Sequence, residues 1–140
     1  MRLYWAELLD GEAPLATRQR GLLQLGGLTL LFQLFHLGLA WLTLPQLTGL
    51  PPWAAWAVSG FFAMLMLLIA VLQYRPASRR PWLEPVRKAF LSALWFGVAG
   101  LAAIFAARMG FTLGVALFLA VGSLGYGMSL GRLWFGLRKA

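Results

Sequence analysis

The sequence contains no cysteine, which excludes disulfide bonds, thiolate metal sites and cysteine nucleophiles. Acidic residues are also scarce, and each lies outside the long apolar runs: Glu7, Asp10, Glu12 and Glu84. Without a carboxylate inside an apolar run, proton- or sodium-coupled transport lacks its usual carrier, and paired-carboxylate catalysis lacks its pair. These absences argue against a coupled transporter and against an enzyme.

Charge of either sign is rare, since charged residues make up 11% of the sequence and hydrophobic residues make up 61%. This composition is typical of a polytopic membrane protein and not of a soluble domain. The net charge of +8 does not indicate nucleic-acid binding, because the basic residues lie at the ends of apolar runs. A cleavable signal peptide is not expected either, because the first apolar run follows Arg20 and is too long for one.

Four long apolar segments predict transmembrane helices at about residues 21–44, 53–74, 86–107 and 111–134. Each contains roughly 20 apolar residues, enough at about 1.5 Å per residue to cross a hydrocarbon core of about 30 Å. The predicted fold class is therefore all-α, with one antiparallel four-helix domain over residues 21–140. Residues 1–20 are predicted to be a cytoplasmic or interfacial segment.

The basic residues predict how these helices are oriented. Eleven of the twelve lie in the N-terminal segment, the central connection or the C-terminus, and Arg108 alone lies on the other side. Under the positive-inside rule both termini should face the cytoplasm, and a bacterial inner membrane is the expected location. Arg108 is expected either to attract an anion or to extend to the headgroups. Five central residues are candidate contacts to lipid headgroups: Arg75, Arg79, Arg80, Arg87 and Lys88.

One polar stripe crosses the first predicted helix. At about 100° per residue, Thr29, Gln33 and His36 fall on the same face. Counting depth from the helix ends places His36 close to the level of Ser59, so Gln33, His36 and Ser59 form a candidate polar site. Two interpretations remain: a haem, quinone or proton-responsive site, or a structural histidine between packed helices. No cofactor and no metal are predicted, because a single His supplies too few ligands.

Small residues recur at four-residue spacing in the last two helices: Ala99, Ala103 and Ala107, and then Ser123, Gly127 and Gly131. This spacing allows helix backbones to approach closely, which favours helix packing in lipid. The packing is expected within the chain or against a partner, and Gly122 and Gly125 form a second possible partner face.

These features predict a non-catalytic accessory, assembly or stabilising subunit of a larger inner-membrane complex. Its partners would be membrane lipids and other membrane-protein subunits. The alternative is a small homo-oligomeric channel or carrier, or a quinone- or haem-binding subunit, that uses the polar stripe around His36.

Overall fold

The computed structural model describes Tyr4, Leu8, Asp10 and residues 12–74 and 84–137. These residues contain four α-helices, α1 (Leu15–Thr43), α2 (Pro52–Tyr74), α3 (Glu84–Arg108) and α4 (Thr112–Leu137). All four are long and apolar enough to cross a membrane, which confirms the predicted all-α fold class and the four candidate spans. The predicted headgroup contacts Arg75, Arg79 and Arg80 lie outside the described residues, as do residues 1–3, 5–7, 9 and 11 of segment 1–20.

The helices extend beyond the apolar runs from which they were predicted. α1 begins at Leu15 and not at residue 21, and α4 continues to Leu137 and not to residue 134. An apolar run marks the part of a helix that lies in hydrocarbon, whereas backbone hydrogen bonding continues into the headgroup layer. At the start of α1, the Arg18 N–H donates to the Pro14 carbonyl at 3.1 Å.

α3 is the central helix of the fold. It packs against α1, α2 and α4, whereas α1 and α2 hardly contact one another. Small side chains allow these close approaches because they keep the helix backbones near each other. The buried alanines of α3 are Ala89, Ala93, Ala99, Ala102, Ala103 and Ala106.

Two glycines of α3 receive side chains from α1. A Cβ added at Gly97 would collide with the Gln33 amide, and one added at Gly100 would lie 2.5 Å from Leu37 Cδ1. Since real Cβ contacts are not this short, both positions require glycine unless the neighbouring side chain moves. Gln33 and Leu37 therefore fix how α1 lies on α3.

We call the end of the fold where α1 and α3 begin the terminal end. A buried apolar cluster holds it together: Leu8, Leu22, Leu25, Ala89 and Leu137. Leu8 is 1% exposed, so the segment before α1 contributes to this core. The Tyr4 N–H also donates to Gln24 Oε1 at 2.7 Å, which ties the segment to α1.

We call the opposite end, formed by the connections at 44–51 and 109–111, the loop end. The last carbonyls of α3 are all satisfied there. Those of Phe105, Ala106 and Ala107 accept N–H groups from residues 109–111 at 2.8–3.2 Å. The Arg108 carbonyl accepts the Leu47 N–H at 3.0 Å, and Gly110, at φ +74°, makes the left-handed turn that ends the helix.

Candidate functional site

The predicted polar site is distributed over separate surfaces of the chain. Gln33 is half-buried against Gly97 of α3, whereas His36 is exposed on α1, with its ring 4.6 Å from that of Phe32. Ser59 lies half-buried on α2, and among the described residues no hydrogen bond joins it to His36 or Gln33. Because α1 and α2 hardly contact one another, the chain does not gather these three residues into one pocket.

The buried part of the polar stripe is occupied by local hydrogen bonds. The Thr29 hydroxyl donates to the Leu25 carbonyl at 2.9 Å, one turn earlier on the same helix. The Tyr126 hydroxyl of α4 donates to the Gly26 carbonyl at 3.3 Å and so joins α4 to α1. These contacts stabilise the helix packing, since a polar group in hydrocarbon needs a partner.

The small-residue faces are placed differently on the two helices. On α3, Ala99 and Ala103 are buried and Ala107 is half-buried. On α4, the glycines that meet α3 are Gly122, whose added Cβ would lie 2.5 Å from Ala99 Cβ, and Gly125, which faces the Trp95 ring. Gly122 and Gly125, which the sequence indicated as a second possible partner face, therefore pack against α3 within the chain.

The other face of α4 is open. Ser123 and Gly127 are exposed and Gly131 is half-buried, and a Cβ added at either glycine would meet nothing within 4 Å. Ala116 and Ala120 are exposed on the same side and extend this set toward the start of α4. We call Ala116, Ala120, Ser123, Gly127 and Gly131 the open small-residue face.

Arg108 organises the loop end. Its Nη2 donates to the Trp41 carbonyl, and its guanidinium lies 4.1 Å from the centroid of the Trp41 ring. With the Gln46 amide oriented to suit its neighbours, Gln46 nitrogen donates to the Arg108 carbonyl at 3.3 Å and Gln46 oxygen accepts from Nη1 at 3.1 Å. Arg108 therefore turns back onto the end of α1, a contact that the sequence did not reveal.

A cavity of about 370 Å³ lies beside Arg108, between the connections at 44–51 and 109–111. Its lining includes Gln46, Gly49, Pro52 and Ala55, and Arg108 is the charged residue in it. Because the guanidinium already binds Trp41 and Gln46, it joins the end of α1 and the connection at 44–51 to the end of α3.

At the terminal end, Arg87 of α3 binds the backbone of α2. Arg87 Nη1 donates to the Leu72 carbonyl at 2.9 Å, which satisfies a carbonyl in the last turn of α2. Gln73 Nε2 donates to Ser92 Oγ at 3.3 Å, and Ser92 Oγ donates to the Lys88 carbonyl at 2.8 Å. These bonds join α2 to α3 near the terminal end.

Arg18 is the most deeply buried charge described at the terminal end. It is 8% exposed, and its Nε has no hydrogen-bond partner among the described residues. Burying a cation is costly unless an anion or several acceptors compensate it. Within the described residues, the Arg18 Nε is therefore buried without an acceptor.

A second cavity, of about 110 Å³, lies between α2 and α4, beside Trp95 of α3. Gln73, Ser129 and Arg132 supply its polar lining, and Trp95 and Gly125 supply apolar lining. The Trp95 indole N–H donates to the Val121 carbonyl at 3.2 Å, which holds the ring in place. Sequence reasoning missed this set, although counting depth from the helix ends would have placed Gln73 and Arg132 at similar levels.

In the parts of the chain that the structure describes, no three His, Cys, Asp or Glu side chains lie close enough together to hold a metal ion. No protein-family model matches the sequence, and no curated protein or solved structure matches it either.

Proposed function

We propose that the protein is a non-catalytic accessory, assembly or stabilising subunit of a larger membrane complex, and that it binds its partner through the open small-residue face of α4. In this proposal the four spans run antiparallel in a bacterial inner membrane. Both termini and the basic connection after α2 face the cytoplasm, as the distribution of Lys and Arg predicts. The loop end then faces the opposite side of the membrane.

The observation that carries the proposal is the open space at Gly127 and Gly131. An added Cβ meets nothing within 4 Å at either position, although both lie in the middle or last turns of a long apolar helix. Helices in lipid associate through close backbone packing at small residues, because no water is expelled to drive them together. A face of five small residues is therefore suited to a partner helix.

The rest of the apolar surface has a different composition, which supports a specific role for this face. On α2, the exposed residues include Met64, Leu67 and Leu68, which are large side chains suited to acyl chains. Open glycines also occur on α1 and α2, but large residues lie four positions away on both sides of each. Gly60, for example, lies between Trp56 and Met64. Such isolated glycines do not form a continuous packing face.

The test compares Gly127→Leu with Gly60→Leu in the full-length protein, purified in mild detergent and analysed intact by native mass spectrometry. Both substitutions add the same side chain at an open helical glycine. We expect wild type and Gly60→Leu to retain the same partner subunits in fixed stoichiometry. Gly127→Leu should reduce their recovery by about tenfold or more, because a leucine prevents close helix approach.

Two results would overturn the proposal. One is a homo-oligomer, or a protein without partners that carries out transport in liposomes. The other is equal partner recovery with Gly127→Leu and Gly60→Leu. An absorption spectrum of the same sample shows whether a haem accompanies the protein, which would instead support the alternative around His36.

A further inference from the structure

The cavity between α2 and α4 combines a cation with hydrogen-bonding groups beside an apolar groove. The groove exists because α2 and α4 both pack on α3 while making little contact with each other. Gln73 contributes from the end of α2, and Ser129 and Arg132 contribute from the last turns of α4. The cavity therefore opens near the terminal end, at the depth of a lipid headgroup layer if the helices span the membrane.

The polar lining is suited to an anion. Arg132 supplies positive charge, and a guanidinium binds phosphate oxygens through paired hydrogen bonds. The Ser129 hydroxyl has no hydrogen-bond partner among the described residues, and Gln73 is held in place by its bond to Ser92 at 3.3 Å. Among the residues that the structure describes, no acidic side chain lines this cavity. At about 110 Å³, the cavity has roughly the volume of several water molecules, enough for a phosphate group.

The surroundings indicate that this anion belongs to a lipid. Trp95 and Gly125 continue the cavity into the apolar part of the bundle. One turn further from the terminal end, Val121 on α4 is 46% exposed, and its carbonyl accepts the Trp95 indole N–H. An acyl chain attached to a phosphate at Arg132 can lie along this apolar path, whereas a free anion makes no use of it.

We propose that the groove between α2 and α4 is a binding site for an anionic phospholipid, with its phosphate held by Arg132, Ser129 and Gln73 and an acyl chain beside Trp95. The site is separate from the proposed partner surface. At about 100° per residue, Ser129 lies about 120° around α4 from Ser123, and Gly125 lies about 160° from Gly127. Lipid binding and partner binding can therefore be changed independently.

The first test removes the charge. The full-length protein is equilibrated with vesicles of phosphatidylglycerol and phosphatidylcholine and extracted in mild detergent, and its bound lipids are counted by native mass spectrometry. Salt is kept high enough to screen unpaired surface charges. Arg132→Gln should lower bound phosphatidylglycerol by about tenfold, the effect of losing charged hydrogen bonds. Arg20→Gln, a control that removes an exposed cation near the start of α1, should change it less than about twofold.

The second test fills the cavity without changing charge. Ser129→Leu should displace phosphatidylglycerol, whereas Ser123→Leu makes the same substitution on the open small-residue face and should retain it. Ser123→Leu should instead weaken partner recovery, so failure of the proposed function and failure of the lipid site give different results. Unchanged thermal unfolding of each variant shows that the helices still pack.

Any one of three outcomes would overturn the lipid site. The first is that Arg132→Gln and Arg20→Gln lower the amount of bound phosphatidylglycerol equally. The second is that Ser129→Leu still binds phosphatidylglycerol, and the third is that excess inorganic phosphate displaces the lipid completely. The last result would identify a site for a soluble anion, in which the acyl chain plays no part.

Discussion

The two sides of α4 carry the same kind of residue and differ in what lies opposite them. Gly122 and Gly125 face Ala99 and Trp95 of α3, so their missing side chains are required by the packing of this chain. Gly127 and Gly131 face open space. Small residues at helical spacing therefore show that a surface can be approached closely, but not which neighbour approaches it. Identifying that neighbour required the positions of the other helices.

The largest expected effect separates the two sides directly. Gly122→Leu should destabilise the isolated protein by about 2–3 kcal/mol or prevent its folding, because the new side chain overlaps the position of Ala99. Gly127→Leu should change the free energy of unfolding by less than about 1 kcal/mol, since leucine favours helix and finds open space. Reversible unfolding in mixed detergent micelles measures both.

A further variant indicates whether the loss at Gly122 is steric. Gly122→Ala adds a single methyl group and should fall between wild type and Gly122→Leu in stability. Equal destabilisation of the isolated protein by Gly122→Leu and Gly127→Leu would contradict this difference. It would show that the two sides of α4 are packed alike.

An intermediate effect is expected at the loop end, where a charged side chain has internal partners. Arg108→Ala should cost about 1–2 kcal/mol of unfolding free energy, because it removes the bond to the Trp41 carbonyl and the contact with the Trp41 ring. Arg108→Lys retains the charge but lacks the planar guanidinium, so it should recover part of this loss. Full recovery by lysine would show that charge alone matters and that the observed geometry does not.

The smallest expected effect separates packed from exposed polar residues on α1. His36→Ala should change stability by less than about 0.5 kcal/mol, because His36 is exposed and contacts chiefly Phe32. Gln33→Ala should cost about 1 kcal/mol, since it empties the space beside Gly97. Thermal unfolding of the two variants in one detergent provides the comparison. A stability loss at His36 as large as that at Gln33 would contradict the assigned exposure.

Much of the fold follows from the sequence because the constraint is simple. A span must be long enough to cross hydrocarbon and must satisfy its own backbone, so long apolar runs predict helices directly. The ends were less predictable, as at Leu15, because hydrogen bonding continues where the apolar composition stops. The central position of α3 was also not predictable, since hydropathy does not report which helices are neighbours.

The candidate sites were less predictable for a related reason. Helical spacing puts Thr29, Gln33 and His36 on one face, but in the structure Thr29 is buried, Gln33 is half-buried and His36 is exposed. A stripe about 60° wide spans the boundary between a packed surface and an exposed one. The groove that contains Gln73, Ser129 and Arg132 is lined by residues of two helices. It could not be predicted from the sequence, because the gap between α2 and α4 is known only from the structure.

The central position of α3 has a consequence for how the chain is made. During synthesis α1 and α2 enter the membrane first, and the fold gives them almost no contact with each other. We therefore expect the nascent first half to remain two loosely associated helices until α3 is present. When α3 emerges, Gly97 and Gly100 become available to Gln33 and Leu37, and both earlier helices acquire a neighbour at once. We expect packing between the helices of this protein to begin only when α3, which starts at Glu84, has been made.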